Sequence, residues 1–256
     1  MLEVHELTKL FNSIPAVQEV SFTVRPYEVL GYLGPNGSGK TTTAKMLTGL
    51  LQPSRGHILF EGKSIQSNLI EFKRRLGYVP EEPYLYPYLT GREYLQLVGR
   101  LRCMSQPALD GKIDDLLGLF SLQRDRHTAL SSYSKGMRQK VLIAAALLHN
   151  PDVLIFDEPL SGLDVTSALT FRHLLKSLAA EGKIILYSSH VLEVVEKVCS
   201  HVVILHKGRV VAHDSVERLR DLMKLPSLEE IFSQLVLEQD TEKVAHDIVE
   251  VMKVPA

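Results

Sequence analysis

Residues 34–41 read Gly34-Pro35-Asn36-Gly37-Ser38-Gly39-Lys40-Thr41, the spacing G-x-x-x-x-G-K-S/T, and Thr42 follows with a second hydroxyl. Glycines at this spacing let backbone N–H groups turn inward around phosphate oxygens, and a helix starting at the lysine adds positive partial charge. Lys40 then reaches the β- and γ-phosphates of a nucleotide, and the Thr41 hydroxyl is placed to ligate Mg²⁺. Such a loop needs an acidic element to hold the metal. Leu154-Ile-Phe-Asp157-Glu158 supplies one at the end of an apolar run. Asp157 is suited to hold Mg²⁺ through its water shell. Glu158, one residue on, points elsewhere and suits a general base that polarises an attacking water. Loop and carboxylates together predict a nucleotide hydrolase without saying which.

These residues must be held by an α/β framework. Val29–Leu33, Val153–Phe156 and Ile184–Tyr187 are short apolar runs of the kind buried in a parallel sheet. The phosphate loop follows the first run and precedes a predicted helix from Lys40 to Leu51. Phe171, Leu174, Leu175 and Leu178 form an i, i+3, i+4, i+7 stripe, so a helix packs between the other two strands. Strand, helix, strand in this order predicts a mainly parallel sheet with right-handed crossovers. Residues 2–24 and 57–62 read as an antiparallel β subdomain, with turn signals at Pro26 and Gly62. Residues 83–150 read as a helical subdomain inserted in the domain. Val202–Leu205 and Arg209–Ala212 flank a hairpin turn. We place the nucleotide-binding domain at residues 1–216 and a helical tail at 217–256. In that tail Ser227 and Glu230 fit a capping box, and a last helix is predicted from Thr241 to Met252, packed on its own domain.

Composition narrows the partners. The chain has 256 residues with a formal net charge of −1, which gives no electrostatic reason to expect nucleic acid. Cys103 and Cys199 match no metal spacing and fit a reduced compartment. The N-terminus lacks a secretory pattern. The apolar stretch Val141–Leu148 falls far short of the roughly 20 residues that span a bilayer.

With Tyr133-Ser134-Lys135-Gly136-Met137 added, the chain resembles the ATP-binding subunit of an ABC transporter over nearly residues 1–235. The phosphate loop, this signature, the acidic strand, Ser161-Gly-Leu-Asp164 and Ser188-Ser-His190 occur in the family's order. The resemblance implies a P-loop NTPase fold that binds ATP and Mg²⁺ and hydrolyses the nucleotide. It implies two such domains, as a homodimer or with a second ATPase subunit, paired head to tail around two ATP molecules. Signature residues Ser134, Lys135, Gly136 and Met137 would then face the partner's ATP. Asp164 would touch the opposite subunit in the D-loop, and His190 would hold the γ-phosphate and water. Glu158, His190 and Lys40 are the expected catalytic residues.

Three departures from the family's pattern matter. Glu81 stands where glutamine is usual and can still ligate metal or water. Lys135 replaces a glycine and either adds charge near the phosphates or faces solvent. Phe11, the candidate adenine-stacking ring, replaces a tyrosine and is otherwise a core residue. Pro83-Tyr-Leu-Tyr-Pro-Tyr88 lies where the family has a groove for a short helix of a separately encoded transmembrane permease. The resemblance therefore implies a cytoplasmic protein, peripheral on the inner face of the cell membrane, that powers a permease. The signature and Glu81 look most like exporter-type systems. The rival is a soluble ABC ATPase of translation or DNA repair that has no permease.

Overall fold

The computed structural model describes residues 1–225 and 227–236. The chain opens with strands β1 (Leu2–Phe11), β2 (Ile14–Val24) and β3 (Val29–Leu33), followed by helix α1 (Lys40–Leu47). Then come β4 (Arg55–Phe60), β5 (Lys63–Ser64), α2 (Leu69–Arg74) and β6 (Leu76–Val79). Helices α3 (Gly91–Leu101), α4 (Gln106–Leu119) and α5 (Lys135–Leu147) form the predicted helical region. The remainder runs β7 (Val153–Asp157), α6 (Val165–Ala180), β8 (Ile184–Ser189), α7 (Leu192–Val198), β9 (His201–His206), β10 (Arg209–Ser215), α8 (Val216–Met223) and α9 (Leu228–Val236).

Two sheets result. The larger has the order β10-β9-β3-β8-β7-β6, parallel from β9 to β6, with β10 pairing antiparallel at one edge. The smaller is antiparallel, β2-β1-β4-β5. Every residue of β3, β7 and β8 is buried, which is why these strands read as continuous apolar runs.

Strand alternation divides those side chains between two cores. Val29, Leu33, Leu154, Phe156, Ile185 and Tyr187 face a core shared with Phe171 and Leu175 of α6 and Val194 and Val195 of α7. Leu30, Tyr32, Val153, Ile155, Ile184 and Leu186 face the other way, against Ala44 and Leu47 of α1 and Leu2, Val4 and Phe22 of the small sheet. Helix α1 thus lies between the sheets, and the loop before it is pinned from both sides. A third core joins Leu95 of α3, Leu109, Ile113 and Leu117 of α4, and Val141, Ala144 and Ala145 of α5.

One expectation changes, and one element went unforeseen. Helix α1 ends at Leu47 instead of Leu51, because the Gly49 N–H turns back onto the Met46 carbonyl and leaves Leu50 exposed. The short helix α2, capped by Asn68, has only six residues, too few for a helical period to show in the sequence. The start of the tail packs on the domain, as Val216, Leu219, Leu228 and Ile231 all enter the first core. Ser227 accepts the Glu230 N–H at 3.2 Å, the expected cap. The helix expected from Thr241 to Met252 lies outside the described residues.

Candidate functional site

The phosphate loop joins the end of β3 to α1 and is held in place by its neighbours. The Gly208 N–H donates to the Ser38 carbonyl at 3.1 Å, and the Gln18 N–H donates to Gly208 at 2.7 Å. Gly39 caps α1 at φ 106°, and a Cβ there would stand 2.6 Å from the Ala16 carbonyl. A side chain at this position would be both strained and obstructed. Lys40 is buried, and its ammonium donates to the carbonyls of Gly34 at 2.7 Å and Pro35 at 3.2 Å. It is folded under the loop with its charge held at the cradle. Asn36, Lys40, Thr41, Thr42, Glu81 and Glu158 share the wall of one cavity of about 330 Å³. The structure therefore brings the loop, the variant Glu81 and the proposed base together.

Asp157 ends β7 fully buried. Ser188 on the neighbouring strand donates to its Oδ1, while Oδ2 is buried without a hydrogen-bond partner. Burial pushes the Asp157 carboxyl above the usual range, against the lowering effect of Ser188. An orphaned, desolvated carboxylate oxygen beside a lysine-bearing phosphate loop is chemically suited to a divalent cation. The Thr41 hydroxyl donates to Glu81 Oε2 at 3.4 Å, and both residues line the cavity, whereas Asp157 lies behind its wall among the residues that do not. Among the described residues no group of three His, Cys, Asp or Glu side chains forms a ready metal cage. A cation here would draw part of its shell from phosphate oxygens and water.

Glu158 follows with φ 49°, a left-handed conformation that few non-glycine residues adopt. Glu158 Oε1 stands 2.8 Å from His190 Nδ1 at the end of β8. Burial raises the Glu158 carboxyl above its ordinary range, and His190 opposes that shift. His190 itself is largely exposed and touches the cavity wall through Glu158, without being one of the residues that line the cavity.

Phe11 is not a core residue. It lies at the tip of the β1–β2 hairpin, paired with Ile14, and is 49% exposed. The same hairpin contributes Ala16 to the cavity wall. The Lys9 ammonium sits 5.4 Å from the Phe11 ring centroid.

The signature residues lie apart from this cavity. Ser134 caps α5 and accepts the Met137 N–H at 3.2 Å. With its oxygen engaged, the hydroxyl hydrogen remains available to an incoming acceptor. Lys135 is exposed to solvent, one of its two expected roles, and also makes a contact that neither role anticipated. Its ammonium donates to Ser161 Oγ at 2.6 Å within the same chain. Gly136 packs so closely on the 161–164 loop that a Cβ would stand 2.3 Å from the Gly162 carbonyl. Asp164 caps α6, accepting from the Ser167 N–H at 2.9 Å and its hydroxyl at 2.6 Å. Those bonds, with Lys140 nearby, hold the Asp164 carboxyl at about 2. Sequence reasoning gave no role to Ser188 or Ser161. Both lie inside recognised segments, yet their partners are 31 and 26 residues away in the chain.

Comparison with known proteins bears on the same residues. The family model described as ABC transporter matches residues 17–161. The ABC transporter ATP-binding protein NatA of Bacillus subtilis is 40% identical over 225 residues, covering 87% of this chain and 92% of its own. A solved ATP-binding subunit of an ABC transporter superposes with a TM-score of 0.86 at 34% identity, covering 92% of this chain and 99% of that one. A dimeric ATP-binding cassette in a post-hydrolysis state, bound to ADP and Pi, gives a TM-score of 0.77 at 25% identity over 84% of this chain and 98% of its own.

Proposed function

Because this chain belongs to the ABC transporter family and is an ATPase of its ATP-binding-subunit type, we propose that two such domains close on ATP and drive a membrane permease, most consistently in the direction of export. One observation carries the reading: the phosphate loop and the signature of a single chain do not line one cavity. This separation supports a site completed across the interface, with Ser134 acting on another chain's nucleotide and the phosphate loop receiving another chain's signature.

In this reading the backbone N–H groups of residues 34–42 and the Lys40 ammonium bind the ATP phosphates. Thr41, Glu81 and Asp157 would hold Mg²⁺, which supplies charge neutralisation at the β- and γ-phosphates. Glu158 accepts a proton from the attacking water. The new oxygen–phosphorus bond forms as the bond between the γ-phosphorus and the bridging oxygen breaks, leaving ADP and phosphate. A base lifted toward the working pH by burial is better matched to this transfer than an ordinary carboxylate. His190 orients Glu158 and meets the γ-phosphate. Ser134 donates its hydroxyl hydrogen across the interface, with Gly136 allowing close approach, and Asp164 anchors the opposing loop. Phe11 offers its ring to the adenine.

The permease reading rests on the surface next to Glu81. Tyr84, Tyr86 and Tyr88 are 82%, 62% and 91% exposed, a high value for three aromatic rings in one short segment. An apolar cleft of about 460 Å³ adjoins β6, walled by Leu50, Ile70, Leu101 and Tyr78 and rimmed by Lys73 and Arg102. A short amphipathic helix with an acidic edge fits this chemistry. The exporter direction is supported by Glu81 and the Tyr-Ser-Lys-Gly-Met signature. The protein would then work at the inner face of the cell membrane; no helix among the described residues is long and apolar enough to cross it.

Glu158→Gln tests the whole reading. We expect hydrolysis to fall by about 100-fold or more, ATP binding to persist, and ATP-bound dimers to accumulate. Loss of nucleotide affinity, or ATP-bound chains that stay monomeric, would remove the catalytic and composite-site assignments. The same variant, affinity-tagged in its native cells, should co-isolate a polytopic membrane protein. Recovery with ribosomes or DNA instead would favour the soluble rival.

A further inference from the structure

We infer that Lys135 is a positioning residue that latches the 161–164 loop onto the signature turn, so that both reach a partner as one preformed surface. Four contacts carry this. The Lys135 ammonium donates to Ser161 Oγ at 2.6 Å. The Lys135 stem lies along Gly162, where an added Cβ would stand 3.0 Å from Cγ and 3.1 Å from Cδ. Gly136 in turn receives the Gly162 carbonyl so closely that a Cβ would stand 2.3 Å from it. A turn of helix further on, Lys140 Nζ lies 3.5 Å from Asp164 Oδ2. Two lysines of α5 thus grip the first and last residues of a four-residue loop, and two glycines make the room between them.

The physical consequence follows from the chain's connectivity. Residues 161–164 link Glu158 to the cap of α6, and their own turn holds together through the Ser161 N–H on the Glu158 carbonyl at 3.2 Å and the Leu163 N–H on Leu160 at 3.1 Å. A glycine at 135 would leave the loop tied to α5 only by Lys140 and by backbone contact. A lysine supplies a charge-assisted donor that restricts it before any partner arrives, reducing the ordering cost of association. The latch itself stands independently of the pairing proposed above; its benefit to association rests on that pairing.

Hydrogen exchange on the full, nucleotide-free chain tests the latch. In Lys135→Met and in Ser161→Ala, peptides spanning 159–166 should exchange about two- to fivefold faster, the range of an exposed charge-assisted contact. The double variant should be no faster than either single one, and Lys135→Arg should restore slow exchange. Unchanged exchange, additive effects, or failure of arginine to rescue would overturn the latch. The second readout places each change in the Glu158→Gln background and follows ATP-driven dimer formation. Both single variants should raise the ATP concentration at half-maximal dimer by a similar factor. If Lys135→Met raises it while Ser161→Ala is silent, Lys135 acts on phosphate and the latch is wrong. If no dimer forms in any background, the pairing fails while the exchange arm still decides the latch.

Discussion

At the scale of single residues, Asp157 and Glu158 show how burial sets chemistry. Both carboxyls are lifted by loss of solvent, with Ser188 and His190 as partial counterweights. The folded chain therefore binds these protons more tightly than the unfolded chain does. Each carboxylate costs stability at neutral pH, and the cost disappears as pH falls through its raised value. Glu158→Gln, nucleotide-free, should thus melt higher than the parent at pH 7.5, with the gap closing as pH is lowered toward 5. A gap that stays constant across a thermal-unfolding series over this range would contradict the buried-charge account. Asp164 illustrates the opposite sign: its capping bonds to Ser167 are fully present above the ordinary carboxylate range and are lost only as pH approaches 2. The residue types at the site were legible in the sequence because each motif is contiguous. Their partners were not. Ser188 for Asp157, Ser161 for Lys135 and the exposure of Phe11 depend on folding that sequence spacing does not encode.

At the scale of elements, β3 has to be central because the phosphate loop leaves from its end. Pairing with β8 on one side and β9 on the other fixes its position, and α7 closes over its middle. Gly31 is where that closure is tightest: an added Cβ would stand 2.7 Å from Val195 Cγ1 and 3.0 Å from Val202 Cγ1. Gly31→Ala should destabilise the fold by about 1–3 kcal/mol, an overpacking cost. Denaturant titration should show a lower midpoint with an unchanged slope. Full stability would mean that α7 yields freely and does not brace the strand. The buried strands announced themselves because both faces are covered and the apolar run is unbroken. The end of α1 did not, since Leu50 and Leu51 continue the apolar pattern that a backbone turn at Gly49 has already ended.

At the scale of the whole molecule, the same sheet serves two faces of different purpose. One core carries α1 and the phosphate loop, the other carries α6 to α9, and β6 leads from the apolar cleft directly toward Glu81. Tyr78 connects the two regions. It walls the cleft, and burial, helped by the charges of Asp157 and Glu81, pushes its buried hydroxyl well above the phenol range. Replacing Ile70 and Leu101, both exposed in the cleft, by glutamate should release the protein from the membrane fraction. ATP hydrolysis by the isolated chain should change less than about twofold, as expected for surface substitutions. Equal membrane recovery of parent and variant would mean that the cleft is not the site of attachment. The sequence by itself determined the chemistry: a phosphate cradle, a pair of carboxylates and a capped signature helix are each written in a few adjacent residues. Only the tertiary structure decided that the cradle and signature of one chain do not line one cavity, that Lys135 contacts the 161–164 loop, and that an apolar cleft adjoins β6. Those outcomes depend on contacts between distant segments, which form when strand alternation assigns each side chain to one core or the other.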